Sequence, residues 1–549
     1  MKVYDAVANA FVKEGTSIVF GLLGSQIDWW ASIARHPAGV RMIDARDEGA
    51  ALAMADGWAR ATGKIGVCSV HYGPGISRTT TSLIAATRSH TPLVVCTSET
   101  ALNNERHHQY LDTKRLVTAT GAGYIEILTP SFAEAAVRQA FYRARLESRP
   151  VVLCMPVNIE EMECDSDGDE YQTSATLFTG QQRIRPDVDR LNEAVKIITE
   201  SKKPVIVLGR GAMQPETRET VERLAKRIGA LTATTLIAKG ALDSEYHVGI
   251  SGLYSTRAAM QLFEEADCMI AIGAGLNERT LAGGYIYPNA RIIHIDIAPH
   301  IVMGNEKSAD CYIQGDAAVT TQEIDDMLAK KGVSKEGYRT AAVRKALLGA
   351  DRDPGEFEIE PGTIDPREVV RLMDERLPFD IGLVDGIGHS ASFPRLLMKP
   401  RALQVFVTGF SSIGQVLGNA IGIAIAVDKP IVAMEGDGGA MQNIQELDTA
   451  ARLGVKLLYI IMNDEAYGAE YQRVVVKGHN PKLSMVRSPD FVTISRGCGC
   501  RGRMARTLEE VAAGIDEFLV NDGPMVLDVR ISRNVVAIPY RRLLYGADV

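Results

Sequence analysis

One stretch, residues 430–471, constrains the fold of this chain more than any other. It reads PIVAMEGDGGAMQNIQELDTAARLGVKLLYIIMNDEAYGAEY. The apolar runs 430–434 and 456–462 lack polar alternation, which is typical of strands in a parallel sheet covered on both faces. A glycine turn and an amphipathic helical pattern lie between them. The stretch therefore predicts a strand, helix, strand unit whose two strands end at the same edge of a sheet.

Each of these strands runs into a turn that carries a carboxylate. Asp437 stands among Gly436, Gly438 and Gly439, and Asp464 follows the second strand. Glycines let the backbone approach a ligand closely, and two carboxylates with loop carbonyls can bind one hard cation. A diphosphate with Mg²⁺ or Ca²⁺ is the occupant that this edge predicts. The alternative is a tight connection that binds nothing.

Strand and helix patterns alternate along all 549 residues, which predicts an α/β fold of doubly wound parallel sheets. Polar or charged segments at 164–170 and 351–366 are interpreted as linkers. The predicted domains are 1–165, 187–345 and 363–549. The first and third share their order of strands and helices, which a distant duplication would explain.

Composition excludes several classes of protein. The formal charge of −8 disfavours a nucleic-acid partner. No apolar run approaches the roughly 20 residues of a membrane span, and the first 15 residues have the pattern of an amphipathic helix rather than a signal peptide. The eight cysteines lie scattered, mostly in apolar runs, as expected for reduced thiols in a cytoplasmic protein.

The order Gly436-Asp437-Gly438, then Asn463-Asp464, then Tyr467-Gly468 resembles the thiamine diphosphate (ThDP) motif of the decarboxylase and acetolactate synthase superfamily. The resemblance covers nearly the whole chain. It implies a pyrimidine-binding domain, a central Rossmann-like domain and a diphosphate-binding domain, in that order. The motif residues expected to contact the cofactor are Gly436, Asp437, Gly438, Gly439, Asp464, Ala466, Tyr467 and Gly468.

The same resemblance implies the metal ligands. They are Asp437, Asp464 and the backbone carbonyl of Ala466, for Mg²⁺ or Ca²⁺. Asp464 departs from the family, which usually has Asn at this place. The departure keeps an oxygen ligand and adds a negative charge, which favours the metal and slightly repels the diphosphate.

Residues 46–60 are similar to the superfamily segment that supplies a catalytic Glu, which here is Glu48. That carboxyl group is expected to relay a proton to the aminopyrimidine of ThDP and so activate the cofactor. By position alone, Glu48 could instead be a carboxylate that favours a helix N-terminus. In the family this Glu and the diphosphate site come from different subunits, which implies a homodimer or a dimer of dimers with active sites at the interface.

Two further segments of the third domain match cofactor-binding positions of the family. Ser411 is expected to supply a backbone carbonyl to the aminopyrimidine, and Ile413 the apolar side chain that bends the cofactor. Gly388 and His389 follow the first strand of this domain, where the family binds diphosphate. For Ile413 a core role, and for His389 a capping role, are the alternatives.

Candidate residues for substrate chemistry come from both outer domains. His71 matches a histidine of benzoylformate decarboxylases, and Ser25 matches a position that lines the same pocket. His107 and His108 resemble the paired histidines of pyruvate decarboxylases but lie a few residues early, and Gln109 is equally close to the glutamine of acetolactate synthases, so this segment does not decide between the two. Glu470 falls where those enzymes keep a catalytic Glu, and its alternative is a solvated helix residue.

The resemblance implies a ThDP-dependent enzyme that decarboxylates a pyruvate-like 2-oxo acid and joins the remaining fragment to a second carbonyl compound, as acetolactate synthases do. The alternatives are a simple decarboxylase that releases an aldehyde and a catalytically decayed homologue. The turn Gly209-Arg210-Gly211 of the middle domain suggests a dinucleotide site, but the rest of that fingerprint is missing. FAD is therefore possible but not predicted.

Overall fold

The structure, a computed structural model, describes residues 1–102, 104–164, 171–177, 183–298, 309–348 and 352–546. The described residues form two compact units. One contains the first and third sheets, from the ranges 1–180, 359–391 and 401–533. The other contains the middle sheet, from 181–358, 392–400 and 534–549. The predicted linker residues 165–170 and 351 lie outside the described residues.

The first sheet has six parallel strands in the order β2-β1-β3-β4-β6-β5. The strands are β1 (Ile18–Gly21), β2 (Arg41–Asp44), β3 (Gly66–Val70), β4 (Leu93–Glu99), β5 (Gly123–Glu126) and β6 (Pro150–Pro156). The helices are α1 (Val3–Lys13), α2 (Ile27–Ala34), α3 (Glu48–Thr62), α4 (Pro74–Arg78), α5 (Thr80–Arg88), α6 (Thr113–Ala119), α7 (Ala133–Glu147), α8 (Val157–Glu160) and α9 (Ser174–Leu177).

The third sheet repeats this topology in the order β14-β13-β15-β16-β18-β17, again all parallel. Its strands are β13 (Gly382–Asp385), β14 (Leu403–Phe406), β15 (Ile431–Gly436), β16 (Leu457–Asn463), β17 (Arg501–Ala505) and β18 (Met525–Arg530). The helices of this part are α15 (Pro366–Arg376), α17 (Val416–Ala426), α18 (Asp437–Ala440), α19 (Glu446–Leu453), α20 (Gly468–Val476), α21 (Phe491–Gly497) and α22 (Leu508–Val520). Two further helices from this range of the sequence, α16 (Ser392–Leu397) and α23 (Ile538–Tyr545), belong to the unit that contains the middle sheet.

Helices α3 and α17 pack closely against each other and join the first and third sheets in one hydrophobic core. Glycines allow the close approach, because a side chain at Gly57 would overlap the backbone of Asn419, and one at Gly422 would overlap the carbonyl of Met54. The two outer domains of one chain therefore pack directly against each other.

The middle sheet has the order β12-β11-β10-β7-β8-β9, which is the strand order 3-2-1-4-5-6 of a Rossmann fold. The predicted three-sheet α/β architecture, with a Rossmann-like central sheet, is thereby confirmed. Its strands are β7 (Pro204–Leu208), β8 (Leu231–Thr234), β9 (His247–Ile250), β10 (Cys268–Ile272), β11 (Arg291–Asp296) and β12 (Cys311–Gln314). Its helices are α10 (Val188–Glu200), α11 (Pro215–Ile228), α12 (Arg257–Glu264), α13 (Ala317–Lys330) and α14 (Ala341–Leu348).

Two segments that the sequence places in the third domain pack with the middle sheet instead. They are 392–400 and 534–549. The buried guanidinium of Arg542 on α23 donates to the carbonyl of Leu253 at 2.9 Å, and Lys239 donates to the carbonyls of Arg395 and Met398 at 2.7 and 2.8 Å. These long-range contacts between charged side chains and backbone leave no periodic pattern in the sequence.

The helix predicted after the glycine turn is two helices, α18 and α19, separated by residues 441–445. Gly438 and Gly439 are poor helix formers, which explains the early end of α18. The helix after Ile413 begins at Val416, so Ile413 lies in the preceding turn. Within the described ranges, no helix has both the length and the apolar character needed to cross a bilayer.

Candidate active site

The carboxyl edge of the third sheet has a topological switch point between β13 and β15, the place where open α/β sheets bind ligands. Residues 386–389 follow β13 and the glycine turn follows β15. An added side chain at Gly436 would lie 3.3 Å from the Ser390 hydroxyl, whereas no described residue lies within 4 Å of such a position at Gly388. The structure therefore leaves room at Gly388 and brings both predicted segments to one edge.

Asp437 and Asp464 form a pair of buried carboxylates at this edge, 4% and 7% exposed. Burial, with the nearby charge of Asp437, raises the pKa of Asp464 well above its usual range, and burial raises the pKa of Asp437 to about 6. Ser488 donates to Oδ2 of Asp437 at 2.6 Å. Oδ1 of Asp437 is buried and has no hydrogen-bond partner among the described residues.

The predicted metal therefore fits this edge. Two like-charged buried carboxylates are costly alone, and a divalent cation would neutralise both. The orphaned Oδ1 of Asp437 is a ready ligand, and the 5% exposed Ala466 lies two residues beyond Asp464. No cluster of three or more His, Cys, Asp or Glu side chains suited to a metal occurs among the described residues. The donor set available here is two carboxylates with backbone carbonyls.

Neighbouring residues close the same edge with neutral groups. His389 is 3% exposed, and burial lowers the pKa of its imidazole to about 4, so the ring is neutral at physiological pH. Added side chains at Gly438 and Gly468 would lie 2.8 Å from the ring of Tyr467 and 3.4 Å from Cβ of His389. The predicted cofactor residues of the third domain thus lie together.

The turn that carries Ser411 and Ile413 lies directly beside this edge. Ser411 has a left-handed backbone (φ 57°) and is exposed, while Ile413 is half-buried. Gly414 donates its backbone N–H to the carboxyl group of Glu435 at 2.7 Å, and its carbonyl accepts from the side chain of Asn443. The turn that carries Ser411 and Ile413 is therefore held next to β15.

Glu48 begins helix α3, whose N-cap is Asp47; the side chain of Asp47 accepts from the backbone of Ala50 at 3.0 Å. Arg78 forms an ion pair with Glu48, with 3.2 Å between Nε and Oε2, and a second, closer one with Asp47. An added side chain at Gly75 would lie 3.4 Å from Oε1 of Glu48. The carboxyl group of Glu48 is thus held between the first turn of α3 and helix α4.

Residues of the third domain hold the first turn of α3. The buried carboxyl group of Glu446 accepts the backbone N–H of Arg46 at 3.0 Å. Burial is the main reason why the pKa of Glu446 is raised to about 7. Ser82 donates to the carbonyl of Gly49 at 2.8 Å and lies 2.9 Å from Oε1 of Gln415. The structure therefore brings Glu48 toward residues 413–416 of the same chain. Placement at a subunit interface stays a prediction.

His71 and Ser25 meet at the matching switch point of the first sheet, between β1 and β3. The backbone N–H of Ser25 donates to Nδ1 of His71 at 3.0 Å. A neutral imidazole whose Nδ1 accepts carries its proton on Nε2, so His71 offers an N–H donor. The hydroxyl of Ser25 is buried without a hydrogen-bond partner within the part of the chain that the structure describes.

A series of neighbouring aromatic rings, tilted or edge-on to each other, leads from His71 to the predicted histidine pair. Ring centroids are 4.3 Å apart for His71 and Tyr72, 6.0 Å for Tyr72 and His107, and 4.4 Å for His107 and His108. His107 is half-buried, and its Nδ1 accepts the backbone N–H of Gln109 at 3.2 Å; His108 is exposed. The structure thus joins His107 to the His71 site.

Glu470 is the predicted residue with the weakest structural support. It is exposed on α20 and forms an ion pair with Arg473 at 3.2 Å, one turn along the helix. This is the environment of the solvated alternative, and its catalytic role stays a prediction.

Sequence reasoning missed the residues that hold the site in place, among them Arg78, Glu435, Asn443, Glu446 and Ser488. Glu446 follows the glycine turn by seven residues and Glu435 precedes Asp437 by two. An acidic residue at the end of an otherwise apolar strand was the one available signal, because such a carboxylate requires partners when it is buried.

Fold and site together define a class: three-sheet, doubly wound α/β proteins with polar residues gathered at carboxyl strand edges. Family models of the thiamine pyrophosphate enzymes match the chain in three places. The N-terminal TPP binding domain matches residues 1–116, the central domain 191–324 and the C-terminal TPP binding domain 386–529. The chain belongs to the thiamine pyrophosphate enzyme family.

Relatives of known name match nearly the full chain. An acetolactate synthase large subunit of Corynebacterium glutamicum is 27% identical over 97% of this chain and 87% of its own length. A sulfoacetaldehyde acetyltransferase of Alcaligenes xylosoxydans xylosoxydans is 27% identical over 98% and 94%. The X-ray structure of a "putative thiamin diphosphate-dependent enzyme" from Mycobacterium smegmatis shares the fold, with a TM-score of 0.77, 21% identity and coverage of 97% and 99%.

Proposed function

We propose that this protein is a ThDP and Mg²⁺ dependent enzyme that decarboxylates a pyruvate-like 2-oxo acid and joins the remaining fragment to a second carbonyl compound. The observation that carries the proposal is the buried pair Asp437 and Asp464 at the switch point of the third sheet, where Oδ1 of Asp437 has no hydrogen-bond partner in the described ranges. Acetolactate synthase and sulfoacetaldehyde acetyltransferase, the names of two relatives, both describe joining or transfer of a fragment. These names support carboligation over simple release.

The residues present divide the work between the two outer sheets. Asp437, Asp464 and the carbonyl of Ala466 would hold the metal and, through it, the diphosphate. Ser411 and Ile413 would contact the aminopyrimidine. Bound ThDP supplies an electron sink that accepts the bonding pair when the substrate's carboxylate leaves as CO₂.

Glu48 would hold and exchange a proton with the aminopyrimidine ring. The ion pair with Arg78 and the first turn of α3 orient the carboxyl group for this task. Packing of α3 against α17 excludes water on one side, which strengthens hydrogen bonds there.

His71 would bind the substrate through its Nε2–H. The backbone N–H of Ser25 fixes the ring's tautomer, so the donor is set before substrate arrives. A donor at this place would hold the carboxylate of the 2-oxo acid or the carbonyl oxygen of the acceptor.

The test is a screen of 2-oxo acids, beginning with pyruvate, with ThDP and Mg²⁺ and with or without an aldehyde or ketone acceptor. We expect CO₂ release and a condensed 2-hydroxy product. Glu48→Gln should lower turnover by at least about 100-fold, the usual range for loss of a general acid or base. The matched control is Glu222→Gln, which changes an exposed carboxylate on α11, in the unit that contains the middle sheet, and should leave turnover unchanged.

Each outcome decides between the candidate functions. Aldehyde as the sole product would replace the proposal with a simple decarboxylase. Bound ThDP without turnover of any 2-oxo acid would identify a catalytically decayed homologue. Unchanged turnover in Glu48→Gln would refute the assigned role of Glu48.

A further inference from the structure

Glu435 is a buried carboxylate next to the glycine turn for which the proposed reaction has no use. It is 2% exposed and ends the apolar run of β15. Burying a carboxyl group is costly unless its oxygens find hydrogen bonds. Oε1 accepts the backbone N–H of Gly414 at 2.7 Å, and Oε2 lies 2.9 Å from the hydroxyl of Tyr459.

The partner at Gly414 is specific because it belongs to the turn before α17. Gly414 has a left-handed backbone (φ 84°), and a side chain there would collide with the side chain of Gln442. The carbonyl of Gly414 accepts a hydrogen bond from the side chain of Asn443, so both backbone polar groups of Gly414 are hydrogen-bonded to side chains. Ser411 and Ile413 lie within three residues of Gly414, whose backbone these hydrogen bonds hold in place.

The space around Glu435 is filled closely. Added side chains at Gly386 and Gly439 would lie 3.6 Å and 2.5 Å from Oε1 of Glu435. Tyr459, 1% exposed in β16, closes the other side. Glu435 therefore has one well-defined position, and so does the turn bonded to it.

We propose that Glu435 is a positioning residue that fixes the 411–414 turn relative to Asp437. It thereby sets the distance between the part of the site that binds the aminopyrimidine of the cofactor and the part that binds its diphosphate. The inference rests on the proposed function, since it assumes that ThDP binds with Ser411 and Ile413 at one end and Asp437 at the other. Glu435 itself touches neither end: it acts through the backbone of Gly414.

The experiment separates the two ends of the cofactor with two probes. Inorganic diphosphate with Mg²⁺ occupies only the diphosphate end, whereas ThDP with Mg²⁺ requires both. Glu435→Met keeps an unbranched side chain of similar length but has no oxygen for the N–H of Gly414. We expect it to weaken ThDP binding by at least about 10-fold in titration calorimetry, while diphosphate binding stays within about twofold of wild type.

Two variants control for a merely structural effect. Glu435→Gln keeps an acceptor for Gly414 and a donor for the Tyr459 oxygen, so ThDP affinity should return to within about threefold of wild type. Tyr459→Phe removes the hydrogen bond to Oε2 of Glu435 but leaves the one from Gly414. It should therefore lower the melting temperature of the apoprotein, while the Kd for ThDP stays within about threefold of wild type. Thermal unfolding of each apoprotein checks that the variants fold.

The outcomes of this test and of the proposed function are distinguishable. Equal loss of both probes in Glu435→Met, or no loss of either, would overturn the positioning role. Failure of Glu435→Gln to restore ThDP affinity would overturn it as well. A wild-type protein that binds neither probe would instead refute the proposed function.

Discussion

Among the turns that place glycines at the end of a buried parallel strand, two can be compared directly: 436–439 at the end of β15 and 209–211 after β7. Both lie at the switch point of their own sheet. In the middle sheet, Gly209 donates to the carbonyl of Ile272 and Gly211 to that of Gly273, each at 2.9 Å. The ends of β7 and β10 are thereby joined by backbone hydrogen bonds.

The turn of the third sheet has another environment. Its polar neighbours are the carboxylates of Asp437 and Asp464, and one carboxylate oxygen has no partner among the described residues. Glycines in the middle turn allow backbone to meet backbone, and glycines in the third-sheet turn surround a buried charge. Spacing of glycines alone does not distinguish these two uses; the side chains at the neighbouring strand end do.

The largest expected effect comes from removing charge at the third-sheet turn. Asp437→Asn keeps the shape of the side chain but removes a predicted metal ligand, so the Kd for ThDP with Mg²⁺ should rise by at least about 100-fold. Arg210→Gln neutralises the charged side chain of the middle turn, here a positive one, and should alter that Kd by no more than about twofold. Titration calorimetry measures both. Similar Kd values for the two variants would erase the difference between the turns.

The second prediction compares two glycine substitutions: the one in the middle turn should lower stability, and the one in the third-sheet turn should lower ThDP affinity. Gly209→Ala would push a methyl group into the backbone of Gly273 and Ala274, and should destabilise the middle unit by about 1–3 kcal/mol. Gly436→Ala has a compatible backbone (φ −76°) and a nearest neighbour 3.3 Å away, so the apoprotein should melt within a few degrees of wild type. Its methyl group would occupy the ligand edge and raise the Kd for ThDP by about 10-fold.

Calorimetric melting and ThDP titration of both variants complete this crossed design. The comparison breaks down if Gly209→Ala weakens ThDP binding in the folded protein, or if Gly436→Ala lowers the melting temperature without changing affinity.

The smallest effect tests whether burial of a carboxylate is enough to make a site. Glu160 on α8 is 4% exposed, and burial raises its pKa to about 8, with Asp28 and Glu161 adding to the rise and Ser98 opposing it. Because the folded pKa exceeds the unfolded one, the stabilisation is full below about pH 4.5 and is lost as pH rises through about 8.

We therefore expect the melting temperature of the wild type to fall between pH 5 and pH 8. In Glu160→Gln this fall should be smaller by a few degrees. Mg²⁺ should not change that difference, because neither oxygen of Glu160 is among the buried side-chain atoms that lack a hydrogen-bond partner in the described part of the chain, whereas Oδ1 of Asp437 is. A Mg²⁺-dependent difference would show that burial alone is enough for a carboxylate in this chain to bind metal.

The sequence predicted the interior strands of the sheets because they are apolar runs, whereas an edge strand such as β17 (Arg501–Ala505) lacks that pattern and was not predicted. The β15 and β16 pair, with Asp437 and Asp464 at its ends, could be placed from spacing alone. The limits of helix α3 follow from local signals, since Asp47 caps its start and Gly63, with φ 70°, ends it.

Other parts depend on contacts between residues far apart in the chain. Glu446 accepts a hydrogen bond from the backbone of Arg46, 400 residues away, and Arg542 on α23 packs with the middle sheet. Neither contact follows from a local period. The tautomer of His71 likewise depends on the backbone of Ser25, a partner that no side-chain pattern indicates.

Helices α3 and α17 follow the second strand, in chain order, of two sheets with the same topology, so each is the counterpart of the other. Their contact therefore has the arrangement of an isologous interface within one polypeptide. A symmetric ancestor, made of two identical subunits, would bury this helix against its own copy. In the present chain the two helices differ: α3 begins with Glu48, whereas α17 begins three residues after Ile413. Because α3 and α17 belong to one polypeptide, the side chains of each helix can change independently while the contact between the two helices is kept.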